Sequence, residues 1–167
     1  MRTVRSSHSL AISNSKNMQV QFTIDGEIQL SRVLLGVSAA VKDWTPALTK
    51  SGEDLVEVFS YDAFETEGAV YGEPWEQLSP AYAKRKEKTF PGMGILEATG
   101  LMRDSFTQMI DPTSLTIGNA SEYFKYHQSN QPRTKLPRRV MMMLTQALKE
   151  TVVKNFQTQL LEKVGTA

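Results

Sequence analysis

The chain has no cysteine among its 167 residues, and that absence removes several chemistries together. Disulfides, thiolate zinc sites and thiol nucleophiles are all excluded, and the composition fits assembly inside a cell. Histidine is scarce: His8 and His127 are the two, too few for the usual His-rich zinc site. No apolar run approaches the roughly 20 residues that a bilayer-crossing helix needs. The N-terminus lacks the apolar stretch of a secretory signal. A large net charge is missing too; at +1 the total points to neither nucleic acid nor membrane. A chain of this length reads as one domain with an arm, able to bury roughly 70 % of its unfolded surface.

Charge of one sign is missing locally. From Ser51 to Ala83 there is no Lys or Arg, while Glu53, Asp54, Glu57, Asp62, Glu65, Glu67, Glu73 and Glu76 are all acidic. From Tyr123 to Lys149 there is no acid, while Lys125, Arg133, Lys135, Arg138, Arg139 and Lys149 are basic. The plain reading is two differently solvated faces. The sharper reading is an assembly surface, in which the acidic face of one copy, with Glu53 and Glu57, meets the basic face of the next, with Lys125, Arg133, Lys135, Arg138 and Arg139.

What is present predicts an α+β fold: a small antiparallel sheet packed by helices, with a long C-terminal helix. Residues 1–17 are rich in Ser, Asn, Lys and Arg and read as a mobile arm; residues 18–167 read as the single domain. Met18 to Ile24 alternates like a strand, and Leu30, Leu34, Val37 and Val41 step like a helix. Asp43 is placed to cap the next helix, with Pro46 in its first turn and Leu48, Leu55, Phe59 and Ala63 turned inward. Gly52 falls inside that helix, at a cost of about 1 kcal/mol against Ala.

Gly68 to Pro74 reads as a loop anchored by Tyr71 and Trp75. Ser79-Pro80 starts a helix whose continuation, Tyr82 to Lys88, is mostly a charged face. Ile95 to Leu101 is expected to make a helical turn that packs Ile95, Leu96 and Leu101 on the core. Arg103 to Ile110 and Leu115 to Ile117 are expected to form a hairpin around Asp111-Pro112. Ser121 is placed to cap a short helix through Tyr123, Tyr126 and His127, and Gln128 to Pro137 reads as a polar extended loop. Met141, Leu144, Leu148, Val152, Phe156, Leu160 and Val164 then keep helical spacing, closed by Gly165.

No catalytic set emerges from these residues. His127 with Glu122 can be drawn as a dyad, but a lone His among aromatics is first a packing or hydrogen-bonding residue. Gly92, Gly94 and Gly100 lack the Lys-Ser or Lys-Thr of a phosphate loop and the Rossmann spacing, so turn geometry accounts for them. The basic groups at Lys84–Lys88 and Arg133–Arg139 could touch phosphates, but the neutral total and the acidic stretch weigh against a nucleic-acid reader. Neither cofactor nor metal is expected.

Several motifs, in order, carry a family resemblance. They are Phe64-Glu65-Thr66-Glu67-Gly68; Trp75-Glu76-Gln77-Leu78-Ser79-Pro80-Ala81-Tyr82 with Lys86; and Ile95 to Phe106, including Thr99, Gly100, Arg103 and Ser105. Ile117-Gly118, Tyr123, His127-Gln128 and Leu136-Pro137-Arg138-Arg139 follow. In this succession the chain resembles the phage virion morphogenesis family, the tail-completion proteins of Mu-like tailed phages. It departs from the family pattern at Ser129-Asn130, at Arg138 and at Val140 to Met142. The resemblance implies a non-enzymatic structural protein at the head–tail junction. It would assemble as a homo-oligomeric ring with other neck and tail proteins, in the host cytoplasm and then in the virion. The competing readings are a small phage-encoded hydrolase using His127 and a nucleic-acid-binding module.

Overall fold

A computed structural model describes residues 43–130 and 136–165. The N-terminal arm, the Met18–Ile24 strand, the helix through Leu30 and Val41, and Arg133 and Lys135 lie outside the described residues. Within them the fold is α+β, with helices around a two-stranded antiparallel sheet.

Helix α1 spans Thr45–Glu57 and continues through a π-helical stretch, Val58–Asp62, into a last α turn, Ala63–Glu65. Leu48, Leu55, Phe59 and Ala63 are buried, as their spacing requires. The wider π turn adds a residue to the repeat, and Phe64 is buried beside Ala63. The start lies one residue after the expected cap. Trp44 occupies the N-cap position, and the Asp43 carboxylate accepts from Thr45, whose backbone N–H lies at 2.9 Å. The Thr45 side chain first, and then its backbone N–H, hold the exposed Asp43 carboxyl below its ordinary value by hydrogen bonding.

The strands β1 (Phe106–Asp111) and β2 (Ser114–Asn119) pair from Phe106 with Asn119 to Asp111 with Ser114. Arg103, expected in the first strand, lies instead in the short helix α3 (Leu101–Asp104); α2 (Pro80–Thr89) precedes it. Leu115 and Ile117 are buried against α1. Gly52 explains how closely helix and hairpin approach: a Cβ there would run into the Gln108 side chain and lie 3.0 Å from Leu115 Cδ1. Its cost in helix propensity is offset by this contact.

Helix α4 is Phe124–Gln128 and helix α5 is Gln146–Gly165. Val152 and Phe156 of α5 are buried, and α5 packs along α1. The Phe156 ring lies 5.1 Å from Trp44. Gln159 is a buried polar residue in this apolar seam. Its side chain accepts the Ala47 N–H at 2.8 Å and donates to the Asp43 carbonyl at 2.9 Å, so α5 satisfies the open start of α1.

The long helix starts later than the apolar spacing predicts. Met141 and Met142 are buried but lie in a non-helical segment before Gln146. Side chains from elsewhere take the backbone groups that a helix would use. Gln128 Oε1 accepts from the Met141 and Met142 N–H groups at 2.9 and 3.1 Å, and Gln128 Nε2 donates to the Met142 carbonyl at 2.7 Å. Trp75 Nε1 donates to the Val140 carbonyl and the Tyr71 hydroxyl to that of Met141. Once those groups are satisfied, apolar periodicity no longer selects a helix.

Candidate functional site

Thr99, Tyr123, His127, Pro137 and Arg139 come together in one groove of about 650 Å³, lined from the Glu76–Ser79 segment, α2, the Leu96–Met102 turn, α4 and the Leu136–Arg139 segment, while Trp75, Gly100, Arg103, Ser105 and Gln128 lie outside its lining. Its local geometry begins at Gly68, which has a φ of 87° and packs so closely under Trp75 that a Cβ would enter the indole ring. Trp75 is buried edge-on to Phe64, with ring centroids 5.4 Å apart, and fixes the Glu76–Ser79 wall.

Arg139 crosses to that wall. Its guanidinium donates through Nε and Nη2 to the Glu76 carbonyl, at 3.1 and 2.7 Å. It is 4 % exposed, and burial pushes its pKa down against the pull of Glu76, Glu67 and Tyr82. Arg139 is thus turned inward and serves the fold, where the charge pattern had put it on an assembly face with Arg138.

Lys86 behaves alike. Though it sits in the charged stretch of α2, it is only 8 % exposed, and its ammonium donates to the carbonyls of Met93 (3.0 Å) and Gly94. Burial lowers its pKa, opposed by Glu97, Glu67 and Glu87. Two cations of the basic stretches are therefore buried on backbone carbonyls. Helical position could not show this, because it depends on a loop returning across α2.

Ile95 packs inward as expected, but Leu101 is 57 % exposed and Met102 takes the buried place. The reason lies at Gly100, whose φ of 73° turns the chain so that α3 begins at Leu101. Arg103 Nη1 pairs with Glu97 at 2.7 Å and Nε with Asp104 at 3.1 Å, bracing this turn. Thr99 Oγ1 accepts weakly from the Leu101 N–H at 3.4 Å, and the Ser105 hydroxyl donates to the Leu101 carbonyl.

On the far wall, Tyr123 is exposed and His127 half-buried, with the His127 carbonyl accepting from the Arg139 N–H at 3.0 Å. Ser121 does not cap α4 with its side chain; its carbonyl accepts from the Phe124 N–H, and Tyr123 is the N-cap. The Ser121 hydroxyl is buried without a hydrogen-bond partner. So no imidazole polarises the Ser121 hydroxyl. Asn119, buried at the end of β2, donates to the Met102 carbonyl at 2.6 Å and accepts from the Ser121 N–H at 2.9 Å.

Of the other expected interface residues, Glu53, Glu57 and Arg138 are exposed and Lys125 is half-buried. Arg138 Nε donates to the Gln128 carbonyl at 3.3 Å, and the Lys125 ammonium lies 5.2 Å from the centre of the Tyr126 ring. Among the described residues no ion pair joins Glu53 or Glu57 to Lys125 or Arg138. Pro137 lines the groove. No group of three or more His, Asp or Glu among the described residues could hold a metal, and no described helix is long and apolar enough to cross a membrane.

The groove is thus built from the same motifs that carry the family resemblance. A family model described as the phage virion morphogenesis family matches residues 27–161. The chain belongs to the phage virion morphogenesis family. No curated protein and no solved structure matches it. Trp75, Arg139 and Gln128 are motif positions, and the structure gives each a defined contact. The roles of Lys86, Gln159 and Asn119 were missed in the sequence, where a charged or amide residue on a helix face or strand carries no mark of a distant backbone partner.

Proposed function

We propose that this family member is a structural protein of the head–tail junction. It works in several copies at the neck to complete the tail, and it catalyses no reaction. The observation that carries this reading is the family match across residues 27–161. The groove's chemistry supports it. Its cations Lys86 and Arg139 are engaged with backbone carbonyls, and its buried hydroxyl, Ser121, is not activated by a neighbour. These side chains shape a rigid surface and do not assemble a reacting centre.

Contact between copies is then heterologous, with Glu53 and Glu57 of one copy facing Lys125 and Arg138 of the next. A head-to-tail contact closes a ring when its rotation allows. Exposed pairs of this kind contribute about 0–1 kcal/mol each, so they orient copies more than they bind them.

The test is genetic and structural. Inactivating the gene in the phage or prophage that encodes it should leave complete heads and complete tails unjoined in electron micrographs, with joining restored by the gene in trans. Joined, infectious particles without the protein would overturn the reading. Arg138→Glu with Lys125→Glu should block joining while leaving the melting temperature in place, and Glu53→Lys with Glu57→Lys in the same chain should restore it.

A further inference from the structure

We propose that the groove is the docking site for the chain's own N-terminal segment, residues 1–17, bound in cis. The groove has an apolar floor of Leu78, Leu96, Met102 and Pro137, and its volume of about 650 Å³ suits a short extended peptide with one or two large side chains. The Ser121 hydroxyl, 6 % exposed, lies in that lining without a hydrogen-bond partner. A buried hydroxyl left open costs free energy unless something supplies its partner. An occupant with backbone or hydroxyl groups does so.

Charge selects among occupants. Of the three charged residues in the lining, Lys86 and Arg139 are occupied by carbonyls, while Glu76 is exposed. The exposed charge offered to a ligand is therefore negative. Residues 1–17 match it: Arg2, Arg5 and Lys16 are basic and no acid is present, while Leu10 and Ile12 supply apolar anchors amid serines.

Reach favours the chain's own segment over any free one. Trp44 N–H donates to the Pro112 carbonyl, which puts the start of the described chain at the turn end of the hairpin. Ser121 and Met102 lie at its open end, where Phe106 pairs with Asn119. The strands between are six residues long, about 20 Å. With residues 30–41 helical, as their spacing predicts, the connection of residues 18–42 can still span up to about 60 Å. A tether of this length presents the segment at an effective concentration near the millimolar range, far above that of a second copy in dilute solution.

The cysteine-free sequence makes the test clean. In the full chain, Ala11→Cys is combined either with Gln77→Cys, an exposed position in the groove wall, or with Glu57→Cys, exposed on α1 away from it. Under mild oxidation the Ala11→Cys, Gln77→Cys protein should form an intrachain disulfide at least about tenfold faster than the other pair, as local docking demands. Adding Leu10→Asp, which changes no residue of the folded domain described above, should remove that advantage. Equal rates for the two pairs, or an advantage untouched by Leu10→Asp, would overturn the proposal. Covalent dimers and longer ladders in place of the intrachain product would also overturn it, by showing that the occupant comes from another copy. None of these readouts depends on tail joining, so they stand or fall apart from the proposed function.

Discussion

The α1–α5 seam and the contacts that brace the groove wall are held in opposite ways. In the seam, Leu48, Leu55, Val152 and Phe156 exclude water by shape, and Gln159 is the polar exception. At the wall, Trp75, Tyr71, Gln128 and Arg139 reach across more than ten residues of sequence to seize backbone groups of the 139–142 segment and of Glu76. Burial of an apolar side chain is tolerant of its chemistry and strict about its volume. A side chain bonded to backbone is the reverse, since an isosteric replacement that loses a donor leaves a carbonyl unpaired.

The largest effect should come from volume in the seam. Phe156→Ala is expected to lower unfolding free energy by about 3–5 kcal/mol, read from the denaturant midpoint, and Phe156→Leu by clearly less. An unchanged midpoint for Phe156→Ala would place that ring outside the core and break the comparison at its apolar end.

The wall should respond to chemistry at constant size. Gln128→Glu keeps the volume but replaces the Nε2 donor to the Met142 carbonyl with an oxygen. The expected cost is about 1–3 kcal/mol. Gln128→Glu and Phe156→Leu together invert the ranking that hydrophobicity alone predicts. If Gln128→Glu were neutral by chemical denaturation, the clamp on Met141 and Met142 would not be what keeps the segment out of the helix.

A smaller effect is expected for Arg139→Lys. Lysine keeps the charge but cannot fork onto the Glu76 carbonyl as the guanidinium does, and about 1–2 kcal/mol should be lost. Hydrogen exchange should rise in the Glu76–Ser79 wall before it rises in α1. Uniform loosening of both regions would mean that wall and seam are one cooperative unit.

The smallest effect belongs to the seam's polar margin. Burial pushes the Asp54 carboxyl up, but hydrogen bonds from Lys50 at 2.7 Å and Asn155 at 2.9 Å together outweigh it and hold the carboxyl below its ordinary value of 3.8. A depressed carboxyl stabilises the fold above that ordinary value and loses its contribution as pH falls through the folded value. Asp54→Asn should flatten the stability curve below about pH 4 by under about 1 kcal/mol, since the Lys50 partner is largely exposed. An equally steep acid limb in the variant would assign that slope to other carboxylates.

The hairpin, the inward face of α1 and the buried part of α5 were legible because repeating apolar positions report which face is dry. Leu115, Ile117, Phe59 and Phe156 all obey that rule. The errors have one source. Leu101 was expected inside and Met141 within the helix because both fit an apolar repeat, while the deciding contacts were backbone geometry at Gly100 and the Gln128 amide. Arg139 was read as a surface charge because nothing near it in sequence marks the Glu76 carbonyl as its partner.

By itself the sequence determined that thiol and disulfide chemistry are absent, that an α+β fold with a long C-terminal helix forms, and that a succession of motifs ties the chain to phage virion morphogenesis. Composition and periodicity are local properties, and a linear chain displays them directly. Only the tertiary structure decided that those motifs close one groove, that Lys86 and Arg139 turn inward, and that Gln159 completes the start of α1. Each of these is a polar contact between residues far apart in the chain, and its partner is a backbone group identical at every position until the fold chooses one.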